Sequence, residues 1–146
     1  MKSLNIDAVE LSKYIVSKCT EEDCPISNLQ LQKILYYIQK YFVKQNEIAF
    51  LDDIEAWQFG PVVPNSYYYF CGFGAMPITN RYSPTIDWDE DSKQAVDKII
   101  ADKRVLDPWV MVEETHKPDG AWATIYKDGE GNHSTIPIDL IRQERD

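Results

Sequence analysis

Long hydrophobic runs are missing from this chain. No stretch of the 146 residues approaches the roughly 20 apolar residues of a membrane-spanning helix. The opening segment MKSLNIDAVELSKYIV is interrupted by Asp7 and Glu10, where a secretory signal needs an unbroken apolar stretch. Cysteine is scarce as well: Cys19, Cys24 and Cys71 cannot all pair within one chain. Free thiols in a reduced compartment, hence a cytoplasmic protein, are the expectation. Basic residues are outnumbered, 15 against 24 acids, and the net charge of -9 repels a nucleic-acid backbone or an anionic membrane on average. With only two histidines there are few candidates for a catalytic base, and no Walker loop, G-x-G-x-x-G turn or nucleophile elbow accompanies them.

What is present is an ordinary globular composition, 44% hydrophobic and 27% charged, enriched in aromatic residues at 12%. No repeat, low-complexity linker or shift of composition divides residues 1–146, so one domain with one core is expected. The stretch AWQFGPVVPNSYYYF crowds Trp57, Phe59, Pro61, Pro64, three tyrosines and Phe70 together. Such bulky, stiff side chains in a small acidic protein require an explanation.

Apolar spacing predicts a first helix over residues 6 to 19, with Asn5 or Asp7 as its N-cap. Ser27 and Gln30 form an S-x-x-Q capping box, with Ile26 and Leu31 placed as a hydrophobic staple, so a second helix starts at Asn28 and runs to about residue 45. Its apolar positions, from Leu31 to Phe42, mark it as the central helix of the core. A short extended segment is expected at 53 to 58 and a short helix from Pro64 and Asn65 to before Gly74. An acid-led helix follows over DWDEDSKQAVDKIIADK, and Asp107 with Pro108 opens another. KPDGAWATIYKDGEGNHS reads as Gly-containing turns, and IPIDLIRQERD as a last helix. The expected class is mainly α, with five to seven helices and a small β element.

Three constellations could carry chemistry. Asp87, Asp89 and Asp91 imitate the opening of a calcium loop, but Ser92 stands where Gly is needed and Lys98 where a bidentate Glu is needed. They read as solvated acids at a helix start. Cys19-x4-Cys24 with Cys71 and a histidine lacks the second paired motif of a zinc site, so no metal is expected. His116 lies among acidic and aromatic neighbours, but no partnered nucleophile is visible, and a structural role is preferred to a hydrolase. The tyrosine runs could stack unpaired bases, but the basic groove that accompanies such platforms is not apparent.

The stretches ISNLQLQKILYYIQ, IEAWQFGPVVPNSYY and THKPDGAW resemble the signature segments of the Panacea domain, the SocA-like antitoxin domain of bacterial and phage genomes. The matching positions are Ser27 to Tyr37, Glu55 to Pro64 with Tyr67, and Thr115-His116 with Trp122. One departure is that Asp119-Gly120-Ala121 precedes Trp122, whereas the family usually places proline there; here the proline is Pro118. The resemblance implies a mainly helical domain that neutralises a toxin encoded beside it by direct binding, without catalysis or cofactor. It directs attention to Lys33, Tyr36, Tyr37, Trp57, Gly60, Pro61, Val62, Tyr67, His116 and Trp122 as partner-binding residues. A stiff corner from Trp57 to Tyr67 would lose little entropy on docking. The same residues serve equally as a packed corner of the core, since buried and exposed rings look alike in sequence. The rival reading is a nucleic-acid-binding regulator, which would require a salt-sensitive DNA affinity.

Overall fold

The computed structural model describes residues 1–145. Local chemistry sets most of the helix starts. Asp7 caps α1 (Ala8–Glu21), its carboxylate accepting the Val9 and Glu10 amides, the first at 2.7 Å. Ahead of it lies a strand, β1 (Lys2–Ile6), where the spacing had suggested that the helix already begins at Ile6. The strand's partner is remote: β1 pairs in parallel with β2 (Glu47–Phe50), Lys2 opposite Glu47 and Ile6 opposite Phe50.

The capping box forms as expected. Ser27 Oγ accepts the Gln30 amide at 3.3 Å, and Gln30 Oε1 accepts the Ser27 amide at 3.0 Å, opening α2 (Asn28–Val43). Leu31, Ile34, Leu35, Ile38 and Phe42 are all buried, and α2 packs against β2, α1 and most of the later helices, as a central helix must. Ser27→Ala should cost about 1 kcal/mol, read as a lower urea midpoint with unchanged slope.

The small β element is a hairpin, β3 (Glu55–Trp57) and β4 (Gly60–Val62), joined by Gln58-Phe59, with β5 (Ser134–Thr135) on the other edge of β3. Pro61 lies on the edge strand β4, where its missing N–H breaks no ladder. Next comes α3 (Pro64–Phe70), which closes in a 3-10 turn before Gly74. Residues 74–89 form no regular element but are anchored by buried Ile78, whose amide donates to Ile26 O at 2.8 Å.

Asp89 caps α4 (Glu90–Lys103), accepting the Ser92 amide at 2.7 Å, which gives one of the three spaced aspartates a defined structural task. Asp107 and Pro108 open α5 (Pro108–Thr115). The segment read as turns instead contains a helix, α6 (Ala121–Tyr126), before the chain reaches β5 and α7 (Ile138–Gln143). Gly120 provides no side-chain cap for α6. The Ala121 amide donates instead to Glu144 Oε1 at 2.9 Å, so the start signal lies 23 residues downstream. The fold is mainly α, with seven α-helices among the described residues and a small β element.

Candidate functional site

Beneath the β3–β4 hairpin lies a chain of buried polar groups. Gln32 Oε1 accepts the Val63 amide at 2.9 Å, while its Nε2 donates to Asn28 Oδ1 at 2.9 Å and to Ser66 Oγ at 3.1 Å. Ser12 donates its hydroxyl proton to Ala8 O at 2.7 Å, so in the 2.7 Å contact between the two hydroxyls Ser66 is the donor. Asn28 Nδ2 completes the set on Tyr67 O at 3.1 Å. Together the links join α1, α2 and α3, and Gln32 ties them to the strand exit at Val63. A buried network satisfied in this way fixes a single arrangement of the corner.

One turn along α2, Lys33 is fully buried and donates to Pro61 O at 3.2 Å. Burial pushes its ammonium down to about 7. Gly60, at φ +118°, sits directly above the lysine: a Cβ there would lie 2.7 Å from Lys33 Cε and 3.0 Å from Thr115 Oγ1. The glycine is therefore required twice, by its backbone angle and by the lack of space.

A second support is aromatic. Trp122 is sandwiched between the His116 imidazole, 3.6 Å away and nearly parallel, and the Tyr126 ring at 4.6 Å. Its Nε1–H donates to Trp57 O at 2.7 Å, joining α6 to β3. His116 stands at the C-cap of α5, and its buried Nε2 has no hydrogen-bond partner among the described residues. Burial, and then the nearby Lys33 charge, hold its pKa below the ordinary imidazole value. This geometry makes His116 a stacking plate for Trp122.

The surface over this frame is different in character. Trp57 is half-buried, stacked on His133 at 4.3 Å and edge-on to Tyr67 at 5.0 Å. Beside it Phe59 is 47% exposed, Tyr68 60% and Trp109 55%, with Phe59 and Trp109 in edge contact at 5.5 Å. Trp57, Tyr67, Phe59 and Trp109 border a cleft of ≈ 440 Å³ that begins at Leu29 on α2, and Tyr68 stands next to it at 5.9 Å from the Trp57 ring. Large exposed rings gathered on one face are uncommon and mark interaction surfaces.

Eight of the ten expected residues meet here: Lys33, Trp57, Gly60, Pro61, Val62, Tyr67, His116 and Trp122. They do not play one role. Lys33, Gly60, Pro61, Val62 and Trp122 are buried and carry the corner, whereas Trp57 and Tyr67 help to form its face. Tyr36 and Tyr37 are placed elsewhere. Tyr36 is 1% exposed, with its hydroxyl on Glu144 Oε2 at 3.0 Å, and Tyr37 donates to the Glu114 carboxylate. A surface role for Tyr36 is thereby corrected to an internal one, since its ring and its hydroxyl are both engaged inside the protein.

The family model described as "Antitoxin SocA-like, Panacea domain" matches residues 31–123. The chain belongs to this family. The matched part of the Panacea domain begins within α2 and ends within α6, so it takes in the hairpin, the Lys33–Gly60 contact and the His116–Trp122 stack. Antitoxin SocA of Caulobacter vibrioides (strain NA1000 / CB15N) is 28% identical over 135 residues, covering 83% of this chain and 71% of the relative. No solved structure matches the chain.

Within this Panacea domain the sequence left several participants unmarked. Phe59 lay inside the aromatic stretch without being singled out. Trp109 is 50 positions away in sequence, and His133 lies outside the matched region altogether. A signal existed only for Trp109, which directly follows the Asp107-Pro108 helix start, where a large exposed ring has no use in the core.

Proposed function

We propose that this protein is an antitoxin that neutralises a toxin encoded nearby by direct contact, without catalysis, and that the aromatic face of the β3–β4 corner is where the toxin docks. The observation that carries the reading is the pairing of exposed Phe59, Trp109 and Tyr68 with a frame that cannot yield, made of the Gln32 network, the Lys33–Pro61 bond and the Trp122 stack. Rigid aromatic anchors give large contact area at small entropic loss, the usual make-up of a binding hot spot. The family supports the antitoxin role in general, and the exposed rings on a rigid frame support binding by this face. Residues 1–146 act in this reading as one domain in the cytoplasm.

Inducing the neighbouring reading frame with and without this protein tests the role, and a growth arrest relieved only by co-expression supports it. The site has its own test. Phe59→Ala with Trp109→Ala should weaken the toxin complex by about 30-fold or more, as hot-spot truncations do. Stability should fall by only about 1 kcal/mol or less, because both rings are half in solvent already. Rescue by the double variant at wild-type levels of protein and affinity would move the docking site elsewhere while leaving the antitoxin role standing.

A further inference from the structure

Next to the corner, the other end of the same α2 face builds a surface of opposite character. Lys40 and Lys44 project from α2 toward Lys103 at the end of α4 and Lys117 just beyond α5, around a groove of ≈ 650 Å³. Among the described residues the acids along its lining are Glu114 and Glu144, and four lysines outnumber them in a chain whose net charge is -9. Tyr37, Tyr41 and Ile99 supply apolar wall. A concentration of one sign against the charge of the whole molecule selects for its opposite.

How the lysines are used narrows the choice of ligand. Glu144 accepts Lys40 Nζ at 3.0 Å and the Tyr36 hydroxyl at 3.0 Å, so one carboxylate of the chain is already taken up at this wall. Lys44 Nζ donates to Arg142 O in the last turn of α7 at 3.2 Å and Lys117 Nζ to Arg145 O beyond that helix at 2.7 Å, so main-chain carbonyls are taken up there too. Each of these two ammonium groups offers three N–H donors, and one carbonyl engages one of them. Lys103 is held by Glu114 at 3.2 Å and lies 4.0 Å over the Tyr37 ring.

A continuous phosphate backbone fits this pattern poorly. Glu114, whose side chain is part-exposed among the lysines, would face the phosphates of a continuous row, and no arginine among the described residues lines the groove to offer the planar fork that phosphates favour. Carboxylates on alternate side chains of an extended peptide are spaced by neutral backbone and can reach Lys44 and Lys117 while passing Glu114. We propose that this groove docks an extended acidic segment of a partner protein, its carboxylates on Lys44 and Lys117 and its backbone along Tyr37 and Tyr41. The proposal stands apart from the toxin assignment and does not depend on it.

The test is an NMR titration of the 15N-labelled full chain with an acetylated peptide amide of three alternating Glu-Gly pairs. Saturable shifts confined to the ends of α2, α4 and α5 are expected, weakening roughly threefold between low and physiological salt. Lys44→Ala with Lys117→Ala should weaken binding about fivefold, two exposed ion pairs' worth, while Lys127→Ala, outside the groove, leaves it unchanged. Both lysines contact only carbonyls through their tips, so thermal stability of the double variant should stay at the wild-type value. Absence of saturable shifts, or binding that the double variant leaves intact, would overturn the proposal. So would a thymidine hexanucleotide that shifts the same resonances at lower concentration, because the groove would then be a phosphate site.

Discussion

Gly60→Ala is expected to lower the stability of the folded protein by about 3 to 5 kcal/mol, the sum of a backbone angle closed to L-residues and a contact that cannot relax. The φ of +118° lies in a region that a Cβ makes costly. Relief by movement is blocked, since Lys33 Cε, 2.7 Å from the new Cβ, belongs to a fully buried side chain held by Pro61 O. For a chain of this length the melting temperature should drop by about 10 °C or more. If the proposed docking face is used, toxin neutralisation should fall with it, because Gly60 stands between Phe59 and Val62 in the hairpin. Thermal melts of the purified variant check the first part; an unchanged melting temperature would mean that Lys33 is far less firmly held than its burial indicates.

The second large effect concerns Lys33 itself and depends on pH. Its folded pKa is depressed from 10.5 to about 7, so between those values the unfolded chain holds a proton that the folded chain has released. Unfolding then takes up protons, and stability rises with pH through that window; below about pH 7 the lysine is charged in both states and its burial penalty applies in full. A shift of this size corresponds to about 5 kcal/mol as an order of magnitude. Lys33→Met removes the buried charge but leaves Pro61 O without its donor, a loss of about 1 to 2 kcal/mol. The variant should therefore be more stable than wild type by about 3 kcal/mol at mildly acid pH, with the advantage vanishing as pH approaches 9. Urea unfolding of both proteins across that range measures the difference. Cys19, whose thiol burial pushes up to about 11, acts in the opposite sense above pH 9, and taking wild type against variant cancels it. The His116 imidazole gives a second readout. Without the Lys33 charge its pKa should move back toward the ordinary value.

What could be read from the sequence was whatever the chain states locally. The Ser27–Gln30 box and Asp107 ahead of Pro108 are complete within four residues, and each of these helices starts where those residues place it, whereas the acid-led helix read from Asp87 starts three residues later, capped by Asp89. What could not be read has its partner far away. KSLNI shows no clear alternation and becomes a strand only because Glu47–Phe50 lies alongside. AWATIY becomes a helix because Glu144 caps it from the other side of the molecule. The site divides in the same way. Trp57, Gly60 and Tyr67 were visible as a stiff, turn-forming cluster, but nothing local distinguishes a lysine that is buried, like Lys33, from one that faces water. Tyr36 and Tyr37, adjacent in sequence, leave α2 in different directions, one onto Glu144 and the other onto Glu114. The ring that shares an edge with Phe59 comes from α5, a contact that only the fold creates.

The parallel pairing of β1 with β2 also sets an order of events during synthesis. Residues 2 to 6 leave the ribosome well before their partner strand, which ends at Phe50, and the crossover between them comprises both α1 and α2. A parallel pair closed over such a span must wait for the crossover helices to form and dock. A strand made before both helices is thus placed only after them, and until Phe50 has emerged the nascent chain presents the apolar faces of α1 and α2 without the strands that later cover one end of them.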